Sequence, residues 1–440
     1  MILKPLRPVL SPIARSVAGA VRGRLSSPSL MLEFAGEAYS MGAVDAPLSA
    51  RAFNDLITFT RASGGGRRNA QGQYEWLPAN TPRIDYDPVT GECRGLLIEE
   101  QRTNLLTYSS DFANAVWTKV GATITTGAFV APDAKAASKL VESTENSSHA
   151  LFSSTTITNG VSHTVSFVVK AAGRNNVRIR LAATSNGLNG TFLADANFDL
   201  LAGTYLSGTN AGNSIAHLGS GWYRISVTAT STSTTIGAAL MLGTSVSTVA
   251  YQGNGTSGIY IWGAQLEAGS FPTSYIPTTT AQVTRAADVA SMNVLSPWFN
   301  ASEGTLFAEW VQPQQKSGQQ TVFDLNDGTV NNRIAGLIES SSTVFQSRYA
   351  SAGSILPNKS APTAAPGTRC RAALSFSMGV QEFAFNGAIF GSGNTVGTLG
   401  LVQALRIGGG LGGQLNSHIR SIRYFPKRLS NAELQSLTAN

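Results

Sequence analysis

Cysteine is scarce in this sequence, which has two such residues, Cys93 and Cys370, among 440. They stand far apart, and no C-x-x-C pair occurs. Neither a zinc site nor a disulfide framework is therefore indicated, because both need clustered or regularly spaced cysteines. We expect two free thiols, which are typical of proteins that assemble in a reducing compartment.

Charge is also sparse, and it is unevenly placed. Charged residues make up 13% of the chain, and the net charge of +7 is concentrated at the start, where no acidic residue precedes Glu33. A basic tail on a nearly neutral body argues against an extended nucleic-acid-binding surface, so no nucleic-acid partner is expected. No run of 18 apolar residues occurs, and we expect no membrane-spanning helix.

Catalytic signatures are missing as well. The four histidines are not at metal-ligand spacing, and there is no G-x-S-x-G motif. Residues 408–413 match the dinucleotide-binding pattern G-x-G-x-x-G, but a strand-like pattern follows where a helix is needed, so we interpret them as a turn. Glu99 and Glu100 are adjacent and would point to opposite faces of a strand, unlike the paired carboxylates of a glycosidase. The sequence therefore predicts a protein that is not an enzyme and that needs no cofactor, with Ca²⁺ as the one candidate ion considered below.

Glycine, serine and threonine are abundant, and several stretches alternate apolar with polar residues. Residues 162–170 place Val165, Phe167 and Val169 on one face, and residues 222–227 show the same period of two. This pattern is typical of half-buried strands in antiparallel sandwiches. The sequence therefore predicts a mainly β protein.

Two local signatures are more specific. Residues 83–86 and 96–99 flank a segment with Pro88 and Gly91 as turn residues, which predicts a β-hairpin. Near the C-terminus, Ser430 and Glu433 have the spacing of a capping box, which predicts a short final helix.

Three segments resemble modules of bacteriophage virion proteins such as tail fibres and head-spike fibres. They are TFTRAS at 58–63, RIDYDPVTGECRGLLIEEQRTNLL at 83–106 and GIYIWGAQLEAGSFPTSYIPTTTAQVTRAAD at 258–288. In such proteins the modules bracket a β-rich, carbohydrate-binding-like domain. The resemblance implies a virion protein whose ligand cannot be identified from these residues.

Two further resemblances define the fold. GWYRISVTAT at 221–230, with the start of the 258–288 segment, resembles a jelly-roll domain of the carbohydrate-binding-module type. EGTLFAEWVQP at 303–313 and SHIRSIRYFPKRLSNAELQSL at 417–437 resemble a concanavalin A-like, LamG-type sandwich. The predicted fold is mainly β, with tandem antiparallel β-sandwiches (a jelly roll plus a concanavalin A-like domain) and a short N-terminal helix.

The expected domain order follows from these segments. It comprises a basic N-terminal anchor segment (1–32), a β-rich connector (33–103), a jelly-roll carbohydrate-binding-like domain (104–285), a linker (286–302) and a concanavalin A-like sandwich (303–440).

The anchor is predicted to be an amphipathic helix. Its apolar stripe and neighbouring arginines are Ile13, Val17, Val21, Leu25, Arg15 and Arg22. Such a short helix needs a partner surface, and we expect it to dock on other virion proteins. The alternatives are contacts with DNA phosphates or with an anionic membrane surface.

Two sets of residues are candidate ligand contacts. Asp324, Asn326 and Asp327 offer oxygen ligands that suit Ca²⁺, but an Asp/Asn-Gly hairpin turn is the favoured explanation of these residues. The candidate glycan-binding residues are Trp222, Trp262, Asn331 and Asn332. Tryptophan rings can stack on sugar rings, but tryptophans in strand-like runs more often belong to a core.

The predicted function is attachment of a virion to host surface polysaccharide, as a tail fibre or receptor-binding protein made in the host cytoplasm. The resemblance implies a homotrimer, in which avidity multiplies weak contacts. A capsid or tail decoration (head-fibre) protein without a glycan ligand is the alternative. A polysaccharide depolymerase is less favoured, because the repeated coils of a β-helical enzyme are missing.

Overall fold

The computed structural model describes residues 26–209, 212–245, 248–340, 344–355, 358–391 and 399–439. The anchor residues named above, and with them the expected N-terminal helix, lie outside these ranges. Neither helix within the described ranges has the length and apolar character needed to cross a membrane.

The chain first forms eight short strands and one helical turn. They are β1 (Leu30–Glu33), β2 (Ala38–Met41), β3 (Ser49–Arg51), α1 (Phe53–Leu56), β4 (Thr58–Thr60), β5 (Gly65–Arg68), β6 (Tyr74–Leu77), β7 (Ile84–Tyr86) and β8 (Cys93–Ile98).

A middle group of sixteen strands follows. They are β9 (Arg102–Asn104), β10 (Thr118–Val120), β11 (Ala122–Val130), β12 (Ala136–Glu142), β13 (Asn146–Ser148), β14 (Ala150–Thr156), β15 (Ser162–Ala172), β16 (Asn176–Ala182), β17 (Phe192–Asp199), β18 (Thr204–Thr209), β19 (Asn213–His217), β20 (Tyr223–Thr230), β21 (Thr235–Gly243), β22 (Ala250–Gln252), β23 (Gly258–Ala268) and β24 (Val283–Arg285).

Twelve strands and a helix complete the chain. They are β25 (Val289–Met292), β26 (Glu303–Val311), β27 (Gln320–Asn326), β28 (Arg333–Ile338), β29 (Val344–Ser351), β30 (Ser354–Ile355), β31 (Lys359–Pro362), β32 (Arg369–Ser377), β33 (Val380–Phe385), β34 (Ala388–Ile389), β35 (Ala404–Ile407), β36 (Ser417–Phe425) and α2 (Asn431–Thr438).

The first and last groups together build one sandwich, called here the outer sandwich. Its first sheet runs β3-β2-β1-β36-β26-β32-β33-β34, with β8 also paired to β36 and β7 to β8. Its second sheet runs β30-β29-β28-β27-β35-β25-β4, with β31 paired to β29. One continuous core fills the space between the sheets and includes the fully buried rings of Trp298, Trp310 and Tyr424.

The middle group forms a second sandwich, the inserted sandwich. Its two six-stranded sheets run β10-β14-β21-β16-β17-β18 and β11-β12-β23-β15-β20-β19. The chain passes repeatedly from one sheet to the other, as expected for a jelly roll. Alternate residues of β15 fill its core, since Val165, Phe167 and Val169 are fully buried. The prediction of a mainly β chain with antiparallel sandwiches is confirmed.

The inserted sandwich is joined to the outer one through a two-stranded stem. β9 pairs antiparallel with β24, from Arg102 opposite Arg285 to Asn104 opposite Val283. The chain therefore leaves the outer sandwich and returns to it at the same place.

The structure corrects two of the expected boundaries. The connector, 33–103, is not a separate unit, because its strand β8 is hydrogen-bonded to the last strand β36, with Ile98 opposite Ser417. Leu96 and Ile98 of β8 are fully buried in the core of the outer sandwich. The linker, 286–302, contains β25, which lies between β35 and β4. Their alternating apolar side chains bind both segments to this core.

Both local signatures form as predicted. β7 and β8 are antiparallel strands of a hairpin. Ser430 caps α2, and the backbone N–H of Ser430 donates to Glu433 at 2.8 Å, which completes the capping box. The segment 408–413 is followed by β36, so it is a turn. Both cysteines are free.

Candidate functional site

The segments that resemble virion modules meet between the two sandwiches, in a group of buried charges called here the junction network. It consists of Arg61, Arg83, Glu99, Arg285 and Asp288. Arg83 Nη1 lies 2.6 Å from Glu99 Oε2, and Arg61 Nη1 lies 3.0 Å from Asp288 Oδ1. Arg83 also pairs with Asp288, and Arg285 with Glu99. All five side chains are at most 7% exposed.

The junction network holds Glu99 ionised. Burial by itself would raise the pKa of Glu99, but the charges of Arg285 and Arg83 and two hydrogen bonds from Ser274 hold it well below its usual value. Two charged donors and the Ser274 hydroxyl and amide thus occupy both carboxylate oxygens. Glu99 is therefore bound by groups of the protein itself, with three donors on Oε2 and the Ser274 amide on Oε1.

A second set of ion pairs extends the junction on the side of the stem. Glu100 binds Lys316 and Arg102, each at 2.5 Å. Glu267, at the end of β23, accepts hydrogen bonds from Gln265 at 2.6 Å and from the Thr273 hydroxyl at 2.7 Å. The Glu100 pairs link the stem to the outer sandwich, and the Glu267 hydrogen bonds hold the segment after β23 against β23.

Beside the junction network lies a cavity of about 130 Å³, called here the junction cavity. Three aromatic rings stand at its wall, namely Tyr74 from β6, Trp262 from β23 and Tyr275 from the segment that follows β23. Their centroids are 5.2 Å apart for Tyr74 and Trp262 and 4.6 Å apart for Trp262 and Tyr275. The Tyr74 hydroxyl donates to the Tyr275 carbonyl at 2.5 Å, which fixes this aromatic wall.

The polar lining of the junction cavity is mostly cationic. Arg67, Arg68 and Arg224 line it, against one carboxylate among its described lining residues, Asp85. Arg67 is paired with Glu75 at 2.5 Å. The junction cavity thus combines flat apolar walls with a surplus of positive charge.

Asp85 is engaged by groups of the protein itself. Its Oδ1 accepts from the backbone N–H of Arg68 at 2.6 Å, and its Oδ2 lies 2.8 Å from Nε2 of His418. Burial favours the neutral acid, but the hydrogen bond and charge of His418 and the Arg68 amide lower the pKa of Asp85 below its usual value. Asp85 is therefore an ionised, fixed group.

An open groove of about 350 Å³, the junction groove, adjoins the junction cavity, and Leu218 lines both. Gln71 and Gln73, from the turn between β5 and β6, line the groove opposite Phe129 and Trp222 of the inserted sandwich. The two glutamine side chains are exposed. The junction cavity and the junction groove are therefore neighbours, and together they are called here the cleft.

The two tryptophans predicted to bind glycans line this cleft, Trp262 the junction cavity and Trp222 the junction groove, and both are largely buried. Trp222 is 3% and Trp262 is 4% exposed, because the β5–β6 hairpin covers the face of the inserted sandwich that carries them. Asn331 and Asn332 lie elsewhere, in the turn between β27 and β28. The structure therefore does not bring the four predicted residues together.

The residues predicted as calcium ligands are used within the outer sandwich. The Asp324 carboxylate receives Nε and Nη2 of Arg333 at 3.2 and 2.6 Å. Asn326 Oδ1 accepts from the Gly328 amide at 2.9 Å, and Asp327 Oδ2 accepts from Asn332 at 2.8 Å. In the part of the chain that the structure describes, no cluster of three His, Cys, Asp or Glu residues could hold a metal ion. The arrangement is that of a hairpin turn.

Sequence reasoning did not identify Arg68, Tyr74 and Tyr275 as cleft residues. Tyr275 lies within the 258–288 segment, but no local pattern distinguishes it. Arg224 alternates with the core residues Tyr223 and Ile225 in β20, so its position on the opposite face was visible in the sequence. The hairpin that covers this face could not be predicted from the sequence.

No protein-family model matches the sequence, and no curated protein is similar to it. Among solved structures, the CBM40 of the Ruminococcus gnavus IT-sialidase bound to α2,3-sialyllactose is 15% identical over 32% of this chain and 84% of its own length, with a TM-score of 0.28. Domain 4 of AbnA, a GH43 extracellular arabinanase from Geobacillus stearothermophilus in complex with arabinotriose, is 14% identical over 38% of this chain and 81% of its own, with a TM-score of 0.29.

The sialidase of Trypanosoma rangeli in complex with 2,3-difluorosialic acid is 16% identical over 34% of this chain, with a TM-score of 0.29. This chain covers 25% of that enzyme's length. TM-scores in this range support no inference about the ligand or activity of the present chain.

Proposed function

We propose that this chain is a non-catalytic attachment protein that binds glycans in the cleft between its two sandwiches. The observation that carries the proposal is the position of the junction cavity beside the junction groove, with which it shares Leu218, with an aromatic wall in one and exposed amide side chains in the other. Neither sandwich forms this cleft alone.

The chemistry of the cleft suits a sugar. A pyranose ring has apolar faces that pack against aromatic side chains and polar edges that need hydrogen-bond partners. Tyr74, Trp262 and Tyr275 supply apolar surface at the inner end. Gln71 and Gln73 supply donors and acceptors at the outer end, where a chain of sugars would leave the cleft.

The fixed state of the carboxylates supports a binding role without catalysis. Glycoside hydrolysis needs two carboxyl groups on opposite sides of the scissile bond, one of them able to donate a proton. Asp85 is ionised and held by His418 and the Arg68 amide, and Glu99 is held by two arginines. Neither is available as a general acid.

In finer terms, we propose that the chain is a virion fibre or receptor-binding protein, assembled as a homotrimer in the host cytoplasm. Residues 1–32 would attach it to other virion proteins. The segments that carry the resemblance to virion modules build the junction itself, so the resemblance concerns the architecture around the cleft. A trimer would have a mass three times the 46.1 kDa of one chain, which analytical ultracentrifugation measures directly.

The test is binding of the full chain to a panel of purified bacterial surface polysaccharides. We expect saturable binding that the double variant Gln71→Ala, Gln73→Ala weakens. The matched control is Gln435→Ala, which removes an exposed amide from α2 at a distance from the cleft lining. Release of new reducing ends during incubation would contradict the non-catalytic role.

Two other results would redirect the proposal. Binding that the double variant leaves unchanged would place the glycan elsewhere on the chain. A folded trimer that binds no member of the panel would contradict glycan attachment and favour a decoration protein without a glycan ligand.

A further inference from the structure

Most arginines at the junction have a carboxylate partner. Arg61, Arg83 and Arg285 are each within 3.0 Å of one, and all three are fully buried. Such pairing is what allows a guanidinium to leave water, because an unpaired buried charge is costly. At the junction, a fully buried arginine is therefore expected to have a carboxylate partner.

Arg68 differs from these arginines, because it has no carboxylate in ion-pair contact among the described residues. Its guanidinium donates one hydrogen bond, at 3.4 Å, to the Gly72 carbonyl. Among the described residues, no carboxylate lies within 4.0 Å of it, and the other contact of this group is with the Tyr74 ring, 5.7 Å from its centroid. Burial lowers the pKa of Arg68 to about 10, although the charge of Asp85 opposes that effect. This cation is partly removed from water, and among the described residues its compensation is the nearby charge of Asp85 and not a direct ion pair.

Arg224 also lines the junction cavity and adds to its positive charge. It donates to the Ser166 hydroxyl at 2.8 Å and to the Thr273 carbonyl at 2.5 Å. Its distance to Glu267 is 4.0 Å, the limit of an ion pair. Arg224 is therefore held in place by neutral groups, and its charge is only partly compensated.

The size of the junction cavity limits what an anion there can be. Its 130 Å³ is below the roughly 300–1,000 Å³ of typical small-molecule sites, so it admits one end of a ligand and not an oligosaccharide. The aromatic wall favours an anion attached to a flat apolar ring face. The rest of such a ligand would lie in the adjoining groove.

We infer that the junction cavity binds the carboxylate of an acidic sugar residue within a polysaccharide, with Arg68 as its ion-pair partner and the rings of Tyr74, Trp262 and Tyr275 against the sugar. This inference rests on the proposed glycan-binding function and specifies its ligand class. The guanidinium of Arg68 can donate two parallel hydrogen bonds to a carboxylate, which fixes orientation as well as charge. Asp85 does not compete for Arg68, because its oxygens face the Arg68 amide and His418.

The test compares a native polysaccharide with a form of the same polysaccharide whose carboxylates have been reduced to hydroxymethyl groups. The full chain is titrated with acidic and neutral bacterial capsular polysaccharides, with each reduced form and with inorganic phosphate. We expect acidic members of the panel to bind, and reduction to weaken their binding about tenfold or more, which is the loss of one charge-assisted contact.

The protein side of the test uses Arg68→Gln, with Arg51→Gln as the matched control. Arg51 is an exposed arginine of β3 that does not line the cleft. We expect Arg68→Gln to weaken binding of the native acidic polysaccharide about tenfold or more and to leave binding of the reduced form unchanged. The comparison of native and reduced ligand needs no variant, so the inference stays testable even where Arg68→Gln folds poorly.

The outcomes separate this inference from the proposed function. Equal binding of native and reduced polysaccharide, or binding of neutral members alone, would overturn the acidic-sugar site and leave glycan binding intact. Binding of phosphate that depends on Arg68, without binding of any acidic polysaccharide, would overturn it in favour of a free-anion site. No binding of any polysaccharide would overturn the proposed function, and this inference with it.

Discussion

Ser274 and Glu99 connect the two sandwiches through a single carboxylate. The Ser274 amide donates to Oε1 of Glu99 at 2.7 Å, and its hydroxyl donates to Oε2 at 2.6 Å. Glu99 follows the last residue of β8 in the outer sandwich, whereas Ser274 lies in the segment that leaves the inserted sandwich. Because Arg83 and Arg285 bind the same carboxylate, its charge positions groups from both units.

Neutralising Glu99 should therefore destabilise the protein strongly. Glu99→Gln leaves Arg83 and Arg285 without one of their counter-charges in a buried site, where breaking an ion pair costs about 3 to 5 kcal/mol. Urea denaturation measures the change in the free energy of unfolding. The control is Asp87→Asn, whose partner Arg94 is 42% exposed, and for which we expect about 1 kcal/mol or less. Equal losses in the two variants would contradict a structural role for the junction network.

Acid should weaken the junction before it affects the cores. The pKa values of Glu99 and Asp85 are lower in the folded chain than in the unfolded chain, so the folded state binds fewer protons in acid. Their contribution to stability is complete above the unfolded values of about 4 and is lost as the pH falls through the folded values. We expect the free energy of unfolding to decrease from about pH 5 to about pH 3, with a shallower slope in Glu99→Gln. Identical slopes would show that Glu99 does not contribute.

Gly269 occupies a position that no side chain can share. Its φ is +136°, and a Cβ there would lie 1.5 Å from Nη1 of Arg102. Gly269→Ala should lower the free energy of unfolding by about 2 kcal/mol or more, from backbone strain and from displacement of Arg102. Gly318, with a φ of +90° and open space around it, is the matched control, and Gly318→Ala should cost about 1 kcal/mol. Similar losses would mean that only the backbone conformation matters.

Calcium should not stabilise the β27–β28 turn. Asp324 is already neutralised by Arg333 and accepts the Leu411 amide at 3.1 Å, so a cation would have to displace both. We expect neither calcium chloride nor EDTA to change Tm, whereas Asp324→Asn should lower it. A Tm that rises with calcium concentration would contradict this expectation, since a ligand of the folded state raises stability by mass action.

The strands themselves were largely predictable from the sequence. β15 and β20 carry a clear period of two, and the hairpin of β7 and β8 is marked by Pro88 and Gly91 at its turn. The capping box at Ser430 and Glu433 is a local signal because its two residues satisfy each other's backbone groups. Features formed by neighbours in sequence are visible in the sequence.

Strand partners were not predictable, and this explains the corrected boundaries. A period of two shows that a strand has a buried face, but not which strand lies beside it. β1 finds its partner in β36, at the other end of the chain, and β25 lies between strands from both halves. The outer sandwich is built from two parts of the chain on either side of the inserted sandwich. In the sequence these two parts therefore resembled separate domains.

The candidate site was predictable only in part, for the same reason. The three segments that resemble virion modules contain Arg61, Arg83 and Arg285. The ion pairs of these arginines form only where the segments meet, so no single segment predicts them. Trp222 and Trp262 were predicted to bind glycans, but the hairpin that covers them comes from another part of the chain, so their burial could not be predicted.

The insertion also sets the order in which the molecule can be completed during synthesis. The inserted sandwich has all its strands once β24 has left the ribosome, and domains generally fold as units as they emerge. The outer sandwich must wait, because Ser29 donates its backbone N–H to the carbonyl of Tyr424, a residue 395 positions later in the chain. The first strands of the outer sandwich are therefore translated before the inserted sandwich, but the outer sandwich finishes folding after it.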